Sequence, residues 1–411
     1  MDLARATTWL DADGDASTWP RMLLAEDRSA FVVGIGARAR TALPHDAAPA
    51  SVLDAARALS DLHGLVLGGV RFDRVRERAG AIDDGWAPFG PGFFFAPRAV
   101  MQRTREGVCT GVDEVERLLA SASSLQGRGS APSPTCAVRA VSLDSERVRF
   151  SDVGARALLA IESGAMQKLV LARRIPVHAT LSLATLVRAL DYGDTGLTYV
   201  FAPEPGLAFV GRTPETLLRG RDGTYATEAV AGTTPRARDP DVDHRARAAL
   251  LGSEKDAREH ALVVAHIAAA CAAKGVKTTI GPRHVRTLSR LHHLVTPFVV
   301  ETDAVSPVAL AQALHPTPAL AGTPVDAARD FIAHEEGFDR GLYGGLIGSI
   351  ARDAVDLRVA IRGALVGDGL SVIYTGAGFV AGSVVARELD ETDVKARALL
   401  LALTNGGGAH A

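Results

Sequence analysis

Asp256 and Glu259 stand three residues apart in the acid-rich stretch SEKDAREHALVV (253–264), and Glu388 and Glu391 repeat that spacing far down the chain. On a helix, residues three apart share a face. Lys395, four residues beyond Glu391, extends the second face. Two such helices facing one space would offer oxygen ligands only. That suits Mg²⁺ better than zinc or copper, and Mg²⁺ fills its remaining positions with water and substrate oxygens. Each pair also has an ordinary use, which for one helix alone is the favoured one. Acids in a first turn suit the helix dipole, and Ser253 with Asp256 matches a weak capping box. Spacing does not bring two helices together.

Lys168 opens an apolar run, KLVLA (168–172). A lone lysine at a strand start is usually a solvated end; buried, its pKa falls and it becomes a candidate neutral base. Glu215 follows Thr213-Pro214 at a strand end, a common place for active groups, though an exposed helix-start acid is the ordinary alternative. His293 and His315 read as structural or surface residues. The run GAGFVAG (376–382) follows a strand but is not a dinucleotide fingerprint, because its spacing is G-x-G-x-x-x-G and too little chain follows for the rest of the unit. Its glycines still let a carboxylate come close to the backbone.

The elements that must position these groups alternate without a strict βαβ rhythm. Residues 31–35, 65–71, 168–177, 199–202, 207–212 and 225–232 read as strands, the last running into a Gly-Thr-Thr-Pro turn. Residues 284–295 read as extended, and 357–366 and 370–375 as paired strands across VGDG (366–369). Helices are expected at 51–62, 153–162, 253–274, 307–314, 325–335 and 389–403, with Lys274-Gly275 as a C-cap. The run PETLLR (214–219) reads as a short helix or turn. Stretches 41–51 and 121–135 read as loops, residues 405–411 as a frayed tail, and Arg74, Arg76, Glu77 and Arg78 as a solvated face. The pattern predicts a mixed α/β chain of the α+β type, with antiparallel sheets in the core flanked by helices.

Bulk properties bound the function. Of the 411 residues, 47% are hydrophobic, which is enough for a large core. A net charge of -2 and the absence of a basic block argue against a nucleic-acid partner. No apolar run is long enough to cross a bilayer, and the first residues do not read as a signal peptide. The three cysteines, Cys109, Cys136 and Cys271, are unclustered and suggest neither disulfides nor a thiolate metal site. A cytoplasmic protein is expected.

Between about residues 150 and 400 the chain resembles the chorismate-utilising enzymes of the anthranilate synthase component I type. That family includes isochorismate, anthranilate, aminodeoxychorismate and salicylate synthases. The matching pieces are KLVLAR (168–173), FVGRTPE (209–215), EAVAGTTPR (228–236), SEKDAREH (253–260), LSRLHHL (288–294), LHPTPALAGTP (314–324), FDRGLYG (338–344), VAIR (359–362), TGAGFV (375–380) and ELDETDVK (388–395). Any one is weak; their common order and spacing are specific. Lys168 and the segment HPTPAL (315–320) carry the likeness towards the isochorismate synthases. The chain departs from the usual pattern in GRTPE (211–215), YGGLIG (343–348) and ELDET (388–392), none of which removes a chemical group.

The resemblance implies one large domain over 1–411, with a motif-bearing part at 150–403 and a less characteristic part at 1–149. It implies Mg²⁺-dependent isomerisation of chorismate to isochorismate, with Lys168 as base for water and Glu215 as acid for the departing C4 hydroxyl. Burial would push the lysine pKa down and the glutamate pKa up. By the same resemblance Glu259 and Glu391 bind the metal directly, and Asp256 and Glu388 bind through water. Arg362, Tyr343, Gly376 and Gly378 would hold the enolpyruvyl carboxylate. Gly232 and Thr233 would shape the floor near C4, and His293 and Lys395 would support. A monomer without a glutaminase partner is implied. Salicylate synthase or an amine-transferring relative is the near alternative, and a non-catalytic chorismate- or metal-binding protein is the alternative of another class.

Overall fold

The computed structural model describes residues 1–73, 85–125, 141–178, 182–190 and 195–405. Arg74, Arg76, Glu77, Arg78, Cys136, residues 126–135 and the tail 406–411 lie outside them, while residues 121–125, expected as loop, are the end of helix Val112–Leu125. Among the described residues, 18 strands join in one sheet network, and every pairing is antiparallel. The fold is the expected mixed α/β type.

Strand Lys168–Val177 is the flat apolar run of the sequence, and its first six residues are all buried. It pairs along its whole length with Ser371–Val380, and its first two residues also pair with Gly322–Thr323. Both faces are covered. Leu169 and Leu171 enter a core shared with helices Pro49–His63, Leu143–Glu162 and Glu254–Ala273. Ala172 faces a second core built on Trp86, Phe89, Phe93, Phe95, Phe201 and Phe209. There Trp86 Nε1 donates to Tyr374 Oη at 3.0 Å, which satisfies two polar atoms inside an aromatic cluster.

The first 110 residues supply strands that sit between strands of the motif-bearing part. Arg21–Ala25 pairs with Leu197–Glu204 as well as Phe31–Arg40. Val66–Val70 pairs with Leu346–Ile350 as well as Gly92–Arg103.

Four local expectations need correction. PETLLR is no helix: Thr216–Arg221 is a strand, because Ala354–Val359 and Thr224–Pro235 both pair with it. The Gly-Thr-Thr-Pro run is no turn but the continuation of strand Thr224–Pro235, past an irregularity between Val230 and Thr233 where Gly232 takes φ +86°. Residues 357–366 are two strands, Ala354–Val359 and Gly363–Val366, broken by Arg362 at φ 53°. The last helix begins earlier than expected, at Val385, and so includes Glu388.

A buried ion pair ties the site-bearing pieces together. Glu336 and Arg340 are 0% and 4% exposed. The Arg340 guanidinium donates to Glu336, to Val170 O at 2.7 Å and to Leu320 O at 2.9 Å, and Glu336 accepts the Ala172 amide at 2.6 Å. One cation thus fastens the segment holding Tyr343 to the strand holding Lys168. Removing one partner of such a pair strands the other charge in the core. Arg340→Met is expected to lower stability by about 3–5 kcal/mol, measured by urea denaturation.

Candidate active site

Ser253 caps helix Glu254–Ala273 by accepting the Asp256 amide at 3.2 Å, and this fixes where the first turn points. That turn faces the beginning of helix Val385–Asn405 across a cavity of about 560 Å³. Asp256, Glu259, Glu388 and Glu391 all line it, so the two distant carboxylate pairs do meet in one space. Lys168, Glu215 and Tyr343 line it too, with Gly232, Thr233, His293, Arg362, Gly376, Gly378 and Lys395.

Three of the four acids are held by lysines. Lys168 Nζ stands 2.8 Å from Glu259, Lys255 Nζ 2.9 Å from Glu388, and Lys395 Nζ 2.6 Å from Glu391. Burial pushes the Glu259 carboxyl up, but the charge and hydrogen bond of Lys168 outweigh it and hold the group below its ordinary value. Asp256 and Glu388 are pushed up, by burial first; Glu259 and Glu391 add repulsion at Asp256, and Glu391 adds it at Glu388. Among the described residues no three metal-binding side chains converge into a closed cage. An open site with one or two carboxylates and mutually repelling neighbours still fits Mg²⁺, which keeps several positions for water and substrate.

Glu215 is 6% exposed. Burial, and then the charge of Glu228, push its carboxyl up to about 7, against the opposing pull of Lys168, Arg362 and Lys395. It can therefore hold a proton near neutral pH. Burial and the Arg362 charge keep His293 neutral, well below its ordinary pKa. His293 Nδ1 and Thr233 Oγ1 share a hydrogen bond at 2.9 Å, and Arg362 Nη2 stands 3.5 Å from His293 Nε2. Burial pushes the Tyr343 phenol up to about 12, and it stays a hydrogen-bond donor. The left-handed backbone of Arg362, a conformation that costs about 1–3 kcal/mol, ends one strand and lets the next begin beside the cavity. Burial pushes His315 down to about 4. Its neutral ring donates to Gly344 O at 3.1 Å, a structural role as expected.

Most of the glycine run continues the strand instead of following it: Gly376 and Gly378 lie within Ser371–Val380, opposite Ala172 and Val170. A Cβ on Gly378 would stand 2.7 Å from Glu259 Oε1 and 3.4 Å from Lys168 Cε, so this glycine makes room for the Lys168–Glu259 pair. Gly376 O accepts from Lys395 at 2.9 Å. Several cavity residues escaped sequence reasoning, among them Lys255, Thr375, Arg387 and Asp390. For Lys255 the only sequence signal was its place inside SEKDAREH.

The family described as chorismate binding enzyme matches residues 48–404. The chain belongs to that family. This chorismate-binding enzyme is 32% identical over 364 residues to isochorismate synthase MenF of Bacillus subtilis, covering 82% of this chain and 74% of that protein. It is 38% identical over 232 residues to the salicylate biosynthesis isochorismate synthase of Pseudomonas aeruginosa, covering 53% of this chain and 46% of that one. The solved structure of MenF, the menaquinone-specific isochorismate synthase of Escherichia coli, superposes with a TM-score of 0.78 at 24% identity over 97% of this chain and 91% of that chain. Anthranilate synthase component I of Streptococcus pneumoniae superposes with a TM-score of 0.66 at 17% identity, over 93% and 91%. These two likenesses establish the shared fold.

Adding a methyl group at Gly378 drives it against Glu259. Gly378→Ala is expected to push Glu259 off Lys168 and lower stability by about 1–3 kcal/mol, measured by urea denaturation.

Proposed function

We propose that this chain is an isochorismate synthase that isomerises chorismate with Mg²⁺ bound. The observation that carries the proposal is one cavity holding a buried lysine, a carboxyl that keeps its proton near neutral pH and two helix-borne carboxylate pairs. Isochorismate synthases among the relatives support it.

In the reactive form the shared proton lies on Glu215 and Lys168 is a neutral amine, which takes a proton from water as the water oxygen bonds to C2 of the ring. The ring double bonds shift, the C4–O bond breaks, and Glu215 gives its proton to the departing hydroxyl. One water enters and one leaves, so atoms and charge balance, and proton return between Glu215 and Lys168 completes the cycle. Glu259 and Glu391 would hold Mg²⁺ directly, with Asp256 and Glu388 behind them through water. Bound there, the ion supplies positive charge that orients and screens the ring carboxylate. Arg362 and the Tyr343 hydroxyl would hold the second carboxylate, with Gly376 and Gly378 leaving it room. His293 and Thr233 would lie near C4, beside Gly232.

The reaction draws its hydroxyl from water, so a single chain suffices and no glutaminase is needed. The test is incubation of purified protein with chorismate and Mg²⁺, followed by chromatography. Isochorismate supports the proposal; salicylate with pyruvate, or unchanged chorismate, overturns it.

A further inference from the structure

Glu215 is gripped on both sides by a pair of charged residues that do not line the cavity. Glu228 lies on strand Thr224–Pro235 and Arg286 on His284–Thr287, two strands that both pair with Leu291–Glu301. The Glu228 carboxylate accepts both terminal nitrogens of Arg286, one at 3.0 Å. The same Glu228 Oε1 accepts the Thr216 amide at 3.2 Å, and the same Arg286 Nη1 donates to Pro214 O at 3.3 Å. The two bonds therefore land on the peptide groups immediately before and after Glu215. The backbone of Glu215 is fixed as well: its amide donates to Thr213 Oγ1 at 3.2 Å and its carbonyl accepts from Val359 at 3.1 Å. The pair is largely shielded from water, with side chains 11% and 26% exposed for Glu228 and Arg286.

We propose that Glu228 and Arg286 form a positioning pair for Glu215, clamping the peptide groups on either side of it and holding a fixed negative charge beside it. This rests on Glu215 being the proton donor of the proposed reaction. A proton donor in a cavity lined by cations needs such a counterweight. Lys168, Arg362 and Lys395 all favour the ionised carboxylate, and Arg286 adds to them; Glu228 opposes them, and Tyr343 is a neutral neighbour. Arg286 keeps the Glu228 charge in place while tying it to the chain that carries the donor.

The pair makes a prediction of sign that a merely structural role does not. Glu228→Gln keeps an acceptor for the Thr216 amide but removes the negative charge and leaves Arg286 uncompensated. The Glu215 midpoint is then expected to fall by about one pH unit. Arg286→Gln leaves Glu228 uncompensated, and the midpoint is expected to rise. The readout is the infrared carbonyl stretch of the protonated carboxyl, titrated in full-length protein at constant Mg²⁺ and assigned by its loss in Glu215→Gln. The alkaline limb of kcat is expected to move with it. Midpoints that stay put, or that move the same way in both variants, overturn the proposal. If one variant fails to fold, as judged by circular dichroism, the direction of shift in the other decides. Should Glu215→Gln retain turnover, the catalytic assignment falls, while the infrared shifts still decide whether Glu228 and Arg286 act on this carboxyl.

Discussion

Lys168→Ala is expected to lower kcat on chorismate by about 10²–10⁴-fold, the range for losing a positioned general base. Lys168 has a second role, however, as the partner of half-buried Glu259. Alanine removes both, so a loss of activity alone would not separate them. Lys168→Arg does separate them. Arginine can keep a cation beside Glu259, but its guanidinium does not deprotonate in a protein and cannot take a proton from water. The arginine variant is therefore expected to be as inactive as the alanine variant while remaining close to wild type in thermal melting. Should Lys168→Arg retain substantial turnover, the base lies elsewhere. A non-catalytic binding protein would show no turnover to lose, and both variants would leave chorismate binding largely unchanged.

Glu215→Gln is expected to cost a similar factor in kcat, because glutamine has the shape of the acid without the proton to give. The same change should make the protein more stable above neutral pH. A carboxyl raised from 4.5 to about 7 binds its proton more tightly in the folded state than in the unfolded one. Below pH 4.5 both states hold the proton and the shift costs nothing. Between the two values stability falls as pH rises, and above about 7 the full cost is present, at most about 3 kcal/mol. Glutamine has no such titration. Denaturation curves at pH 4.5 and pH 8 should therefore show little difference at the first and a more stable variant at the second. A variant equally active, or one whose stability difference does not grow with pH, would remove Glu215 from the role assigned to it.

What the residues disclosed in one dimension was mostly local. The paired acids could be placed on helices because their spacing matches the helical repeat, and Ser253 marks where the first of those helices starts. Lys168 was placed on a buried strand because the run after it does not alternate. What stayed hidden depends on partners far away in the chain. Lys255 matters through Glu388, 133 residues on. The clamp on Glu215 joins Glu228 to Arg286 across 58 residues and two strands. PETLLR has the composition of a helix start, yet neighbouring strands on both edges outbid that preference. The Gly-Thr-Thr-Pro run has the composition of a turn, but pairing with Leu291–Glu301 resumes beyond Gly232. The family resemblance brought the site residues together on paper; their meeting in space needed the fold.

The pairing order of the strands also bears on synthesis. Lys168 sits on a strand whose full-length neighbour is Ser371–Val380, and two of the four acids arrive only with the helix that begins at Val385. A ribosome has thus released more than nine-tenths of the 411 residues before the cavity can close. Until then the long apolar strand waits for its mate. Premature termination before Ser371 is expected to yield a chain with an exposed sticky edge and an incomplete cavity, a substrate for chaperones and proteases instead of a weak enzyme.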